Sequence, residues 1–257
     1  MKKTPYPHYL RTSDLAKAVG IHVNTVRQYE QWGFISPAPR SPSGYRRFTE
    51  AHLDQLRLAR LVMHGGWPGP TIRRAGLDLV RRSATGDLGG ALELAHQMVA
   101  LVQAERAQAE AAADFLQRWA NGNPADATGR NLRIGDAARL LNTTIDCLRN
   151  WERNGLVDVP RDPHNGYRLY GPAEIGRVRV IRMLIRSGYS TMAILRMLLQ
   201  FDQGQTENLR QTLDTPRPDE EAIYATDRWL STLTEMELRA SRVVLLLEKM
   251  IQKRQPG

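Results

Sequence analysis

Apolar residues recur at helical spacing from the first ordered-looking segment onward. Thr12-Ser13-Asp14 offers capping side chains ahead of Leu15, Ala16, Ala18 and Val19, which fall on one helix face. Gly20 ends that helix in a tight turn, Ile21 fills the gap beneath it, and Val23 opens a second helix that Gly33 stops. The stretch Ile35-Ser36-Pro37-Ala38-Pro39-Arg40-Ser41-Pro42-Ser43-Gly44 holds too much proline for a helix and predicts an extended arm with a turn. Thr49 then caps a helix whose buried face is Leu53, Leu56, Leu58, Leu61 and Val62. Gly65-Gly66-Trp67-Pro68-Gly69-Pro70 breaks it before a shorter helix through Ile72, Leu77 and Leu79. From Leu88 to Trp119 no proline intervenes. Leu88, Leu92, Ala95, Val99, Val102, Arg106, Ala109, Ala113 and Leu116 advance by threes and fours, the spacing of a coiled-coil seam.

The whole scheme then repeats. Ile145-Asp146-Cys147-Leu148-Arg149-Asn150-Trp151-Glu152 matches Val23-Asn24-Thr25-Val26-Arg27-Gln28-Tyr29-Glu30, and Asn165-Gly166-Tyr167-Arg168 matches Ser43-Gly44-Tyr45-Arg46. One constant offset relates both pairs of blocks, with no gap needed between them. A last helix, from about Asp219 to Lys253, carries Leu230, Leu233, Glu237, Ala240, Val244, Leu247 and Ile251 at the same steps. The predicted fold is mainly α: two winged helix-turn-helix domains, each followed by a long coiled-coil-forming helix. The expected boundaries are 9–80 for the first head, 81–120 for its long helix and 121–131 for a linker. The second head takes 132–200, a polar loop 201–218, and the C-terminal coiled-coil helix 219–253.

Composition narrows the function. A hydrophobic share of 42% with 25% charged residues fits a folded globular chain rather than a disordered one. The net charge of +9 favours a polyanionic partner. Cys147 is the single cysteine, so one chain forms neither a disulfide nor a cysteine metal cluster. The N-terminus lacks the apolar run of a signal peptide, and no apolar stretch approaches a membrane span. A cytoplasmic protein without a membrane role is the expectation.

In a helix-turn-helix the early polar positions of the second helix face the major groove. Those are His22, Asn24, Thr25 and Gln28 in the first copy, with Thr144 and Asp146 in the second, while Val26 and, in part, Tyr29 face inward. On the arms, Tyr45-Arg46-Arg47-Phe48 and Tyr167-Arg168-Leu169-Tyr170 place guanidinium and phenol groups where a backbone phosphate would lie.

The order Leu-Arg-x-x-Asp-x-Ala, Thr-Val-Arg-x-Tyr-Glu-x-x-Gly, Ser-Gly-Tyr-Arg-Arg-Phe and a leucine-rich helix resembles the DNA-binding domain of the MerR family of bacterial transcription regulators. The resemblance covers about Tyr9–Leu79 and Leu132–Leu199. It implies a winged head and a following helix that pairs antiparallel between two subunits. It also implies an effector-sensing C-terminus, and a pseudo-palindromic site in an over-long promoter spacer distorted for RNA polymerase holoenzyme. By the resemblance, Arg27 and Arg149 meet phosphate from within the reading helix. Tyr29 and its replacement Trp151 follow two residues on, and Tyr45, Arg46, Arg47, Tyr167 and Arg168 are wing contacts. Leu169 stands where the first wing has Arg47, so the second wing has lost a charge.

Many family members carry a cation at the base-facing position, where this chain has Asn24 and Asp146. Asparagine suits adenine; aspartate accepts from cytosine and repels phosphate. The two heads are therefore expected to read different half-sites of duplex promoter DNA, the second more weakly. Family members commonly have one head and dimerise. Here the two long helices either close on each other in one chain as a pseudo-dimer or pair between chains. Tethering favours the first.

Other chemistry is sparse. Cys147 at a helix start is either a redox-sensitive thiol or simply a small side chain. The histidines show no ligand-like pairing, so no metal and no other cofactor is assigned. Trp67, Trp119, Tyr224 and Trp229 flank the long helices and could line an aromatic pocket for a drug-like effector, or could be packing. No pattern supports catalysis, and the chain is not expected to be an enzyme. The rival readings are an excisionase-like architectural DNA-bending factor and a drug-sequestering protein.

Overall fold

The structure, a computed structural model, describes residues 9–65, 69–122, 130–216 and 225–254. Its described helices are α1 (Thr12–Val19), α2 (Val23–Gln31), α3 (Glu50–Met63), α4 (Pro70–Ala84), α5 (Leu88–Ala120), α6 (Ile134–Leu140), α7 (Ile145–Arg153), α8 (Pro172–Arg186), α9 (Thr191–Asp202), α10 (Leu209–Asp214) and α11 (Trp229–Gln252). They fall into two compact units. One runs to Gln103 and resumes at Thr234, and the other is Ala104–Leu233. Both boundaries cut through a long helix.

In the first unit, α1 ends on Gly20 at φ 68°, a left-handed conformation that costs glycine little. Leu15, Val26, Ile35, Phe48, Leu56 and Leu58 fill the space between α1, α2 and α3 and are all sealed from solvent. The chain enters and leaves this core through one antiparallel pairing, Leu10 with Phe48, at 2.8 and 3.0 Å. Thr49 begins α3, and His52 Nδ1 accepts from the Thr49 amide at 3.1 Å, closing a capping box. Gln55, buried in α3, binds the Ser36 amide and hydroxyl through Oε1 and thereby anchors the root of the wing.

The segment from Thr234 completes this unit. Lys253 Nζ pairs with the buried Asp54 of α3 at 2.8 Å, Arg254 donates to the Gly86 carbonyl at 2.9 Å, and Arg239 donates to the His64 carbonyl. Gln103 donates to Glu237 at 3.0 Å. From the Gly86 contact to the Gln103 contact the partner residue falls from Arg254 to Glu237, so these parts of α5 and α11 run in opposite directions.

The second unit repeats the head with Leu148, Leu156, Tyr170, Ile175 and Val178 in its core and Leu132 paired to Tyr170. It also contains an element the sequence does not predict. α10 falls in the polar interruption expected to have little helix, and it is held by packing rather than by local propensity. Leu209 and Leu213 are buried, and Arg196 of α9 captures the carbonyls of Thr212 and Leu213. The final helix begins at Trp229 after a 3-10 turn at Ala225–Arg228; the expected earlier start, 219–224, lies outside the described residues.

The long helices bury much of the predicted seam, including Ala109, Ala113 and Leu116 on α5, but on α11 and the first half of α5 alternate positions give way to the preceding residue. On α5, Ala91 and Met98 are buried where Leu92 and Val99 are half-buried. On α11, Trp229, Met236, Val243 and Met250 are buried in place of Leu230, Glu237, Val244 and Ile251. Leu88, Ala95 and Val102 on α5 and Leu233, Ala240 and Leu247 on α11 belong to both stripes. Steps of three and four fit either choice, and only the neighbouring element decides between them.

Candidate nucleic-acid interface

Each head presents three elements to one side: the start of its first helix, its reading helix and its wing. In the first head these bound a cleft of about 630 Å³ lined by Arg11, Arg27, Tyr45, Arg46 and Arg47 among others. The second head has a cleft of about 640 Å³ lined by Arg133, Arg149, Arg161, Tyr167 and Arg168. Such a cradle of guanidinium and phenol groups suits a phosphate.

The reading helices are capped locally. His22 Nδ1 accepts from the Asn24 amide at 3.2 Å, and the Thr144 hydroxyl accepts from the Cys147 amide at 3.1 Å. Both side chains that sequence reasoning assigned to DNA are thus engaged in capping, although both residues are exposed. The Thr144 hydroxyl also pulls the exposed Cys147 thiol below its usual range. Asn24 and Arg27 are exposed and joined at 3.3 Å, while Thr25 is half-buried. Asp146 and Arg149 repeat that pairing at 3.5 Å, with the Asp146 side chain 91% exposed.

Two expected contacts lie elsewhere. Tyr29 is 6% exposed and Trp151 is 9% exposed, so both rings pack into the head cores. Tyr29 packs edge-on against Phe34 and lies beside Trp32. Both residues follow a buried position, Val26 or Leu148, by three, which puts them on the inward face of the helix.

On the wings, Tyr45 and Tyr167 are 76% and 59% exposed. Arg46 donates its Nε to Glu30 at 2.7 Å, and Arg168 donates its Nε to Glu152 at 2.5 Å. The carboxylates cost the arginines no terminal amino group, so those groups are left for a phosphate. Arg47 lies 5.1 Å from the Tyr9 ring; in the second head Arg133 lies 5.3 Å from the Tyr167 ring.

The wings are not gapless copies. Arg47 bonds Pro39 and Leu169 bonds Pro160, each at 2.8 Å, so between Ile35 and Pro39 the first head has one residue more than its repeat. The turn reverses the balance. Ser41 pairs with Tyr45, whereas Asp162 pairs with Tyr167 across one further residue. A deletion and an insertion cancel, which restores the constant offset and hides both in the sequence. The turn also exchanges a hydroxyl for a carboxylate: Ser41 Oγ accepts the Tyr45 amide, and Asp162 accepts the His164 amide.

Sequence reasoning passed over Arg11, Arg133, Arg40 and Arg161. The repeat itself marks them, since Leu10-Arg11 returns as Leu132-Arg133 and Pro39-Arg40 as Pro160-Arg161. Arg40 and Arg161 each donate to the glycine carbonyl of their own wing turn. Of the proposed aromatic pocket, Trp67 and Tyr224 lie outside the described residues. Trp119 stacks on Phe201 at 4.4 Å, and buried Trp229 donates to the Ser187 carbonyl at 2.6 Å, so both serve packing in the second unit. Among the described residues no group of three His, Cys, Asp or Glu side chains could hold a metal ion, and no helix is long and apolar enough to cross a membrane.

Family comparison matches the same two regions. Residues 11–48 fit the model described as MerR family regulatory protein, and 132–200 fit that of the MerR HTH family regulatory protein. A mercuric resistance operon regulatory protein of Serratia marcescens is 35% identical over 74 residues, 29% of this chain and 51% of that protein. The HTH-type transcriptional regulator CueR of Escherichia coli O6:H1 is 38% identical over 58 residues, 23% of this chain and 43% of CueR. A probable heavy metal-dependent transcriptional regulator of Haemophilus influenzae is 43% identical over 51 residues, 20% of this chain and 40% of that protein. The chain thus spans about half, or less, of the length of these relatives. No solved structure matches it significantly.

Proposed function

Since the chain belongs to the MerR family of regulatory proteins and carries that family's helix-turn-helix region twice, we propose that it is a transcription regulator that binds duplex promoter DNA through both heads. The observation that carries this reading is the paired cradle: exposed Arg27 with Tyr45, and exposed Arg149 with Tyr167, around clefts of about 630 and 640 Å³. Each head takes one half-site. Asn24 and Asp146 give the two half-sites different sequences. The spacer between them is distorted, and RNA polymerase holoenzyme is the partner that uses the distortion.

The two long helices serve as the family's subunit-pairing coiled coil within a single chain. The opposed run of α5 and α11 in the first unit and the heptad-spaced burial on α11 support this pseudo-dimer. Sedimentation of the DNA-free chain tests it, with a single-chain species expected and a dominant two-chain species ruling it out. No small-molecule effector is included in the proposal, because Trp119 and Trp229 are already engaged in packing.

The decisive experiment is selection of duplexes from a random pool by the full chain, followed by a footprint and transcription in vitro. Two unlike half-sites inside a promoter spacer, with altered transcription, are expected. Failure to enrich any sequence would overturn the reading, and a bent site without any effect on transcription would select the architectural alternative.

A further inference from the structure

Arg74 and Arg196 occupy one place in the repeat, at the offset that also pairs Ile72 with Ile194 and Leu77 with Leu199. Their surroundings are opposite. Arg196 is 3% exposed, donating to the carbonyls of Thr212, Leu213 and Asp227 at 2.8, 3.2 and 3.3 Å. It gathers the end of α10 and the turn before α11 onto α9, satisfying carbonyls that would otherwise be orphaned. Arg74 is exposed, and with Arg73 and Arg81 it lines a cleft of about 460 Å³ along α4. The one acid there is Asp78, 4.0 Å from Arg81. Among the described residues neither Arg73 nor Arg74 pairs with an acid.

The cleft adjoins the reading helix. Arg81 lies 5.8 Å from the Phe34 ring, and Phe34 packs against Tyr29 and Trp32 at the end of α2. In the homeodomain, a helix-turn-helix variant, the far end of the reading helix contacts the backbone. Arg81 thus marks the side of the head on which α2 ends, away from its base-facing start. The second head has no equivalent. Leu195 replaces Arg73 and packs toward Gly155 at the end of α7, and Met192 and Leu199 leave 54% and 44% of their surfaces exposed.

We propose that the α4 cleft is an additional backbone-phosphate site present on the first head alone, the second head having turned its arginine inward as a structural latch. This rests on the duplex-binding reading above and adds to it a lopsided grip. Arg73 and Arg74 hold phosphates at the edge of one half-site, and nothing does so at the other.

The test compares the salt dependence of random-sequence duplex binding for the full chain and for Arg73→Ala/Arg74→Ala, with Arg46→Ala as the companion. The double variant is expected to flatten the slope by about two units and Arg46→Ala by about one. A flattened slope for Arg46→Ala alone overturns the cleft and leaves the duplex reading intact; no change in either variant overturns the duplex reading itself. Leu195→Arg should steepen the slope by about one unit, and an unchanged slope would remove the asymmetry. Arg196→Ala should lower the melting temperature and leave the slope alone. A flatter slope for that variant would overturn the latch. On the selected duplex, ethylation of outer phosphates should interfere at one half-site only.

Discussion

Arg46 on the first wing donates its Nε to Glu30 on the reading helix across 2.7 Å, two residues sixteen apart in the chain, and Arg168 and Glu152 repeat the bond at the same separation. Both partners are largely buried, with side-chain exposures of 23% and 13% in the first head. An acid so close to a polyanion would ordinarily be unfavourable. Here it fixes a cation that would otherwise lose rotamer freedom on binding.

Glu30→Gln should for that reason weaken DNA binding, although it removes a negative charge. A charge-assisted bond of this kind contributes about 1.5–3 kcal/mol, so a loss of roughly ten- to 150-fold is the outer range. Fluorescence anisotropy on a selected duplex measures it. A gain in affinity would show that the carboxylate acts only by repulsion.

Arg168→Ala should flatten the salt slope by about one unit, as its counterpart does, while leaving base preference unchanged. Titrations across a range of salt concentrations check this. A shift in the selected sequence would mean that the wing reads bases as well as phosphates.

Asp146→Asn should raise affinity at the second half-site by several-fold and move one position toward adenine. The carboxylate lies 3.5 Å from Arg149 and partly neutralises it, whereas Asn24 beside Arg27 carries no charge. Repeating the selection with the variant is the check, and an unchanged preferred sequence would deny Asp146 a base contact.

Burial holds the His52 imidazole below its ordinary value of 6.5. Its Nδ1 accepts the Thr49 amide, so the folded ring is neutral. The folded value is depressed, and the unfolded chain takes up the proton first. The stability this contributes is whole above pH 6.5 and is lost as the pH falls through the folded value. Melting followed in the intact chain from about pH 8 to about pH 5 should show a declining midpoint, and His52→Gln should flatten that decline. The second head carries Glu174 at the equivalent cap, so α8 should not share the His52-dependent loss when exchange is followed helix by helix.

Much of each head was legible because short-range chemistry determines it. Gly20 and Gly33 stop helices at φ 68° and 71°, Thr49 precedes one, and the prolines of 35–44 exclude one. The places where the reading failed depend on neighbours distant in sequence. Val26 and part of Tyr29 read as inward-facing from the sequence, but the resemblance also gave Tyr29 and Trp151 a DNA contact, and only packing shows how fully both rings are buried. α10 exists because Arg196 and buried leucines hold it, and nothing in Leu209–Asp214 alone requires a helix. The seam of α11 could begin at Trp229 or at Leu230 by spacing, and packing selected the first. The offsetting changes in the wings escaped notice because a constant register downstream conceals any pair of edits that sum to nothing.

Those wings carry one last implication. With a four-residue turn bearing Ser41 on one and a longer turn bearing Asp162 on the other, the two heads are chemically distinguishable. A homodimer on a palindrome has no upstream or downstream. On the proposed two-headed grip this chain would have both, so its operator would possess polarity, and inverting that operator beneath an unchanged promoter would create a different regulatory element.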